Sequence, residues 1–206
     1  MLIRPIGILG GTFDPVHLGH LRAAEVARDR LGLSGVLFVP NRTPPHKPGQ
    51  AVTAPADRMA MLELAIAGHP EYAITDLELH RTGPSYSYDT IQTLRHEHPD
   101  WQLYFILGAD GFVDLRTWHR WDELLRLCCF AIVSRPGYDR RLVEEMLADL
   151  GPDLAEQVVY LEAPGVDVAS SRIRELVGRG EPLTGLVLES VAAYIYQHGL
   201  YRLRSE

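Results

Sequence analysis

Cysteine is scarce. Two of the 206 residues are Cys, and they are neighbours, Cys128 and Cys129. Adjacent cysteines in an apolar run rarely bridge each other, so no disulfide framework holds this chain, and both are expected as buried thiols in a strand. Basic charge is also in deficit: 20 Lys and Arg stand against 27 Asp and Glu, for a formal net charge of −7. That excludes a surface built to coat nucleic acid. It does not exclude a small anionic ligand, which responds to the local field of a cleft. No secretory leader, membrane span or lipidation motif is evident, so no membrane partner is expected and the cytoplasm is the expected compartment. Several chemical signatures are missing too. There is no Gly-x-Ser-x-Gly elbow and no Walker A lysine motif. There is no Gly-x-Gly-x-x-Gly with an acidic residue about twenty positions on, as a plain dinucleotide oxidoreductase would carry.

What is present is ordinary for a globular enzyme-sized chain: 46% hydrophobic and 23% charged residues, enough for one domain with a full core. Ile3 to Leu9 is expected as a buried strand, Leu18 to Leu31 as a helix ended near Gly32, and Gly35 to Val39 as a second strand. This βαβ unit implies a parallel sheet with a right-handed crossover and ligands beyond the carboxyl ends of the strands. Pro55 to Gly68 follows as a helix, then Tyr72 to Leu79 as a strand with Asp76 and Glu78 on a solvated face. Ser85 to Thr90 opens a helix to His98; Trp101 to Leu107, Cys128 to Ser134 and Gln157 to Leu161 are strands; Arg140 to Leu150 and Leu186 to Leu200 are helices. The expected fold class is α/β, a doubly wound parallel sheet with helices on both faces. Residues 1–206 are expected as a single domain, with 168–206 a helical C-terminal part.

Chemistry concentrates first at Gly10-Gly11-Thr12-Phe13-Asp14-Pro15-Val16-His17-Leu18-Gly19-His20. A strand, a glycine turn and a helix N-terminus make a seat for phosphate, because unpaired N–H groups and the helix dipole face outward there. His17 and His20, on one helix face, add donors. A chance surface pair remains an alternative; a zinc site lacks a third ligand at familiar spacing. The proline-rich loop Pro40 to Pro48 carries His46 and Lys47 from the same sheet edge, as a solvated connection or a reach toward the same ligand. Arg58 stays unassigned. Ser85, Ser87, Asp89 and Thr90 read equally well as helix-start chemistry. Gly108-Ala109-Asp110 is another glycine turn onto a helix, Asp110 suiting a ribose hydroxyl, an adenine edge or an N-cap. Trp118 sits in a polar, basic stretch unlike core, whereas Trp121 reads as packing. At Val168 to Leu176, Ser170 and Ser171 are N-cap material, and Arg174 shares their helix face.

Taken together these motifs resemble the nucleotidyltransferase superfamily, whose (H/T)-x-G-H element holds ATP phosphates. In its full form the first is similar to that of the nicotinate-mononucleotide adenylyltransferases, which implies a Rossmann-like fold. The resemblance runs from Ile6 to Arg174 through five motifs in order. It implies ATP contacts from Gly10, Gly11, Thr12, Phe13, His17, His20, Gly108, Asp110, Arg135, Ser170, Ser171 and Arg174. It implies pyridine-nucleotide contacts from Thr12, Lys47, Ser87, Asp89, Thr90 and Trp118, with Trp118 on the nicotinate ring. Catalysis would rest on His17, His20, Lys47 and Arg174, with Mg²⁺ bridged by ATP phosphates rather than held by side chains. Departures are mild: Ser87 replaces Thr, Ile91 replaces Leu, Val168 replaces Ile, and Ala169 replaces the first Ser of the family's Ile-Ser-Ser-Thr/Ser-x-Ile-Arg element. The implied reaction is attack of the nicotinate mononucleotide phosphate on the ATP α-phosphorus. That phosphate is largely ionised near neutral pH, its second pKa being about 6, so it needs no general base. Alignment and charge neutralisation are then the whole task. Alternatives are an adenylyltransferase acting on phosphopantetheine or flavin mononucleotide, or a non-catalytic nucleotide-binding module. The choice between nicotinate and nicotinamide mononucleotide, and the presence of a homo-oligomer, stay open.

Overall fold

A computed structural model describes residues 3–42, 52–135, 137–163 and 168–202. Strand β1, Arg4–Gly11, has Ile6, Gly7, Ile8 and Leu9 all buried, as a strand covered on both faces must. Helix α1 spans Leu18–Leu31 and stops where Gly32 turns left-handed (φ 61°), its N–H donating to the Arg28 carbonyl. Then come β2 (Gly35–Pro40), α2 (Pro55–Ile66, with Pro at its first position) and β3 (Tyr72–Ile74). The second half begins with α3 (Ser87–Glu97), β4 (Trp101–Gly108) and α4 (Ala109–Val113). It continues through a 3₁₀ turn (Leu115–Thr117), α5 (Trp121–Leu127), β5 (Cys129–Ser134), α6 (Arg140–Leu150), the short α7 (Pro152–Ala155), β6 (Val158–Glu162), α8 (Ser170–Gly178) and α9 (Glu189–Gln197).

The six strands pair in the order β3-β2-β1-β4-β5-β6, all parallel. The chain builds outward from β1 on one side, then crosses to β4 on the other, so the switch point lies between β1 and β4. Strand alternation divides the core in two. Leu9, Ile106 and Ala131 join one cluster with α1, α2, α8 and α9 residues such as Ala27, Met61, Ile173 and Ile195. Their neighbours Ile8, Phe105 and Phe130 join the other, with Ile91, Leu124 and Val143 from α3, α5 and α6. This is the doubly wound arrangement expected, with helices on both faces. Among the described residues no helix is long and apolar enough to cross a membrane.

Three expectations are corrected. The strand expected over Tyr72 to Leu79 ends at Ile74, because its ladder with β2 runs out: Thr75 N–H donates to Phe38 O, and a turn follows in which Leu79 N–H donates to Asp76 O. That turn brings Glu78 inward, to 6% exposure, whereas the strand reading put it on a solvated face. Cys128 is buried but precedes β5, and Cys129, inside it, is only half-buried.

Candidate active site

The phosphate turn leaves β1 through Thr12 and Phe13. Phe13 holds φ 49° with its side chain 1% exposed. A left-handed non-glycine residue is uncommon, and burial of the ring against Phe38 and His20 holds it there. His17 stands immediately before α1, whose span is the one expected, and is its N-cap. Its Nδ1 accepts from His20 N–H at 3.3 Å, and His20 Nδ1 accepts from His17 N–H at 3.2 Å, a capping box made of two histidines. The rings stack at 3.7 Å. Because both Nδ1 atoms accept, each neutral ring carries its proton on Nε2. Burial, reinforced by the Arg135 charge, lowers the His17 pKa to about 4. Burial, then His17 and Arg135, lowers that of His20 well below its usual value. Gly19 between them is required by close approach: a Cβ there would stand 3.0 Å from His17 Nδ1 and 3.1 Å from its Cε1.

The second motif is tied to the first across more than 150 residues. Ser170 Oγ donates to Pro15 O at 2.9 Å, and Arg174 donates to Asp14 O at 2.7 Å. Ser170 and Ser171 are therefore not the N-cap. Ala169 holds that position and offers no side-chain cap, which leaves the first turn of α8 open to a ligand. Asp110 is not an N-cap either: Gly108 is, and the Asp110 carboxylate meets Arg135 at 2.8 Å.

Two cavities open at the carboxyl edge of the switch point, and both are bounded by Gly10 and Leu107. One, of about 380 Å³, is walled by His17, His20, Gly108, Arg135, Ser170, Ser171 and Arg174. The other, of about 580 Å³, is walled by Gly11, Thr12, Ser87, Thr90 and Trp118. The structure thus divides the expected contacts between two adjoining chambers. Three expected residues line neither chamber among the described walls: Phe13, which packs inside, Asp89, whose carbonyl accepts from Thr93, and Asp110, whose carboxylate is held by Arg135. Lys47 lies outside the described residues. Its described neighbours on both sides are fastened to the phosphate turn: Asn41 N–H donates to Gly11 O, and Thr53 N–H to Asp14 Oδ2.

Sequence reasoning missed several residues. Arg58, 1% exposed, donates through NH1 to Thr12 O at 2.7 Å and through Nε to Thr53 O at 3.0 Å. Tyr201 donates to Asp14 Oδ1 at 2.7 Å. Asn41 Oδ1, on the larger cavity, is buried with no partner among the described atoms. Glu78 lines that cavity and accepts from the Thr90 hydroxyl at 2.6 Å. The Glu78-x-x-Arg81 pair before the Gly83-Pro84 turn was the available signal for the last of these, since it sits beside residues already singled out.

The model of the cytidylyltransferase-like family matches residues 8–176. A protein of Symbiobacterium thermophilum named as a probable nicotinate-nucleotide adenylyltransferase is 49% identical over 201 residues, covering 98% of this chain and 96% of its own. One of Geobacillus thermodenitrificans with the same name is 47% identical over 200 residues, covering 97% and 87%. Among solved structures, the Plasmodium falciparum nicotinic acid mononucleotide adenylyltransferase complexed with NaAD shares the fold with a TM-score of 0.79 at 20% identity, covering 96% of this chain and 97% of that one.

Proposed function

The chain belongs to the cytidylyltransferase-like family and, within it, to the nicotinate-nucleotide adenylyltransferases; from that premise we propose how its residues move AMP from ATP to nicotinate mononucleotide. The observation that carries the proposal is the shared boundary of the two cavities at Gly10 and Leu107. Two nucleotides seated on either side meet over a glycine, where no side chain separates the reacting phosphates. The smaller chamber takes ATP with its Mg²⁺ as substrate; among the described residues no three His, Cys, Asp or Glu side chains gather as a metal cage. The larger chamber takes the pyridine nucleotide.

The phosphate oxygen of the mononucleotide forms a bond to the ATP α-phosphorus, the bond to the β-phosphate oxygen breaks, and pyrophosphate leaves with nicotinate adenine dinucleotide as the other product. His17 and His20 offer Nε2–H donors fixed in place by their capping box, and Arg174 with the open turn of α8 receives the β- and γ-phosphates. Lys47 is assigned to the reacting phosphates. Asp110 is assigned to ribose or adenine, with Arg135 beside it. Residues 168–202 complete this seat as part of the same domain. Trp118 stacks on the ring. The nicotinate carboxylate finds the N-terminus of α3, where Tyr86 caps with no side chain and the Ser87 amide is the first free donor. The Asn41 acceptor suits a ribose hydroxyl.

Pyrophosphate release with ATP and Mg²⁺, offering nicotinate and nicotinamide mononucleotide separately, tests this reading. Strong turnover with the acid and little with the amide is expected. Equal turnover would make the enzyme dual in specificity, and none with either would redirect attention to phosphopantetheine or flavin mononucleotide, or to a binding module. His20→Ala should lower kcat by about a hundredfold or more, since it removes a preorganised donor to developing charge. A change in KM alone would remove His20 from the catalytic step.

A further inference from the structure

One buried carboxylate stands on the described wall of the larger cavity, Glu78 at 6% exposure, and its partners belong to the start of α3 or to the turn that leads there. Thr90, at the end of the first turn of α3 and 1% exposed, donates its hydroxyl proton to Glu78 Oε1 at 2.6 Å. Arg81 donates to the same hydroxyl oxygen at 2.9 Å. Ser85, just ahead of the helix and 5% exposed, accepts at Oγ from Arg42 N–H at 3.2 Å, which ties it to the exit of β2. Burial pushes the Glu78 pKa up; Thr90, then Arg81 and Ser85, pull it back, and Asp89 adds a smaller rise. The carboxylate is thus a paired group, and the Thr90 hydroxyl has its only proton committed to it. Thr90 therefore serves the chamber through where it stands, not through a proton it could give a ligand. In the chain, Ser85 and Thr90 lie on either side of Tyr86 and Ser87, so this network holds the backbone of the helix start from two points.

We propose that Glu78 is a positioning residue for acid recognition: by holding Ser85 and Thr90 it fixes the start of α3, so that the Ser87 amide meets the carboxylate on the pyridine ring, and the preference for acid over amide follows from that placement. The inference rests on the pyridine-nucleotide reading above and deepens it. A backbone amide separates the two substrates only when it is aimed. A carboxylate accepts at either oxygen, whereas a carboxamide accepts at one end and presents N–H donors at the other. A helix start free to turn would lose that distinction before it lost the ring or the phosphate. Glutamine in place of Glu78 keeps the shape but offers one acceptor instead of two. Its NH2 group must then face the Arg81 charge or one of the two hydroxyls, so the network loosens without removing any group from the chamber's ligand-facing backbone.

The test breaks the same link from both ends. Dissociation constants for nicotinate and nicotinamide mononucleotide are measured by calorimetry for wild type, Glu78→Gln, Thr90→Val and the double variant, with kcat and both KM values alongside. Each single variant should weaken the acid about tenfold, leave the amide and the KM for ATP within about twofold, and spare kcat. The double variant should lose about tenfold and not a hundredfold, because its two changes remove one link. Thr90→Ser, which keeps the hydroxyl, should stay within about twofold of wild type. Equal weakening of acid and amide would show that Glu78 only shapes the chamber. Tighter binding of the acid by Glu78→Gln would show that its charge repels the substrate, and additive losses would show that the two residues act separately; any of these overturns the proposal. Where Glu78→Gln fails to fold, Thr90→Val against Thr90→Ser decides: the acid preference should fall in the first and persist in the second, and the same preference in both refutes the idea. Absence of turnover by wild type with either acid or amide would count against the enzyme reading, whereas equal turnover, or an unchanged preference in Glu78→Gln, would count against this inference alone.

Discussion

Arg58→Met isolates the support of the phosphate turn from its chemistry. Arg58 is buried to 1% exposure and gives hydrogen bonds to two carbonyls, Thr12 O and Thr53 O. Methionine fills a similar volume with no donor, so both carbonyls lose a charged partner inside the protein. Hydrogen bonds from a charged donor contribute roughly 1.5–3 kcal/mol each, and orphaned buried acceptors cost on the same scale. Relief from burying a guanidinium, whose pKa burial lowers, offsets part of this. A net loss of about 3 kcal/mol in unfolding free energy is expected, which in a chain of this size lowers Tm by roughly 6–12 °C. Because Thr12 lines the larger chamber, the freed turn should also lower kcat/KM about tenfold at a temperature where the variant is fully folded. Arg58→Lys keeps the charge but not the fork that reaches both carbonyls, so it should fall between wild type and Arg58→Met. Urea denaturation and pyrophosphate release measure the two effects. A loss under about 1 kcal/mol with unchanged kcat/KM would refute the assignment of Arg58 as the brace of the turn.

Acid should act on His17. Its folded pKa of about 4 lies below the usual 6.5, so between those values the unfolded chain holds a proton that the folded chain refuses. Stability is therefore full above about pH 6.5 and is lost as pH falls toward 4, by about 2 kcal/mol at about pH 5. His17→Asn, which keeps an N-cap acceptor, should reduce the loss measured by urea titrations at about pH 7 and about pH 5, the part due to buried His20 remaining, and an equal loss in both proteins would argue against it. Gly19→Ala improves helix propensity but presses a methyl on the His17 ring, so it should fold normally while kcat/KM drops about tenfold or more; full activity would mean the ring position is not critical. Tyr201→Phe removes the bond to Asp14 and should cost about 1–2 kcal/mol with a smaller effect on kcat than Arg58→Met, checked by thermal melts and initial rates side by side.

What was legible in the sequence was local. Strand, turn and helix from Arg4 to Leu31 follow from an apolar run, two glycines and a left-handed cap, all within a few residues of one another. The same holds for α6, whose apolar periodicity marks Arg140–Leu150. What was illegible depended on partners far away. Ser170 looked like a cap because a hydroxyl before a helix usually bonds the next turn; here the Pro15 carbonyl takes it instead. Glu78 looked solvated because alternation was carried past the end of the β2–β3 ladder, and where pairing stops the period of two stops with it. A buried arginine such as Arg58 leaves no trace in periodicity at all, since polar residues inside are defined by what they bond.

The Gly-Thr-Phe-Asp-Pro string is longer than a phosphate seat needs, and the structure explains the surplus. Gly10 and Gly11 clear space for a ligand, but Phe13 and Asp14 face away from it. Phe13 buries its ring behind His20, and Asp14, 5% exposed, gathers Thr53 from the segment before α2, Tyr201 from the C-terminal turn, and Arg174 through its carbonyl. Three separate parts of the chain thus converge on one turn before any substrate arrives. Charge stabilisation by neutral imidazole donors is weak unless the donors are already aimed, because a donor that must reorient spends the gain on its own reorganisation. Holding the turn from behind is what lets His17 and His20 remain neutral and fixed on the wall of the smaller chamber, where the proposed reaction needs their donors.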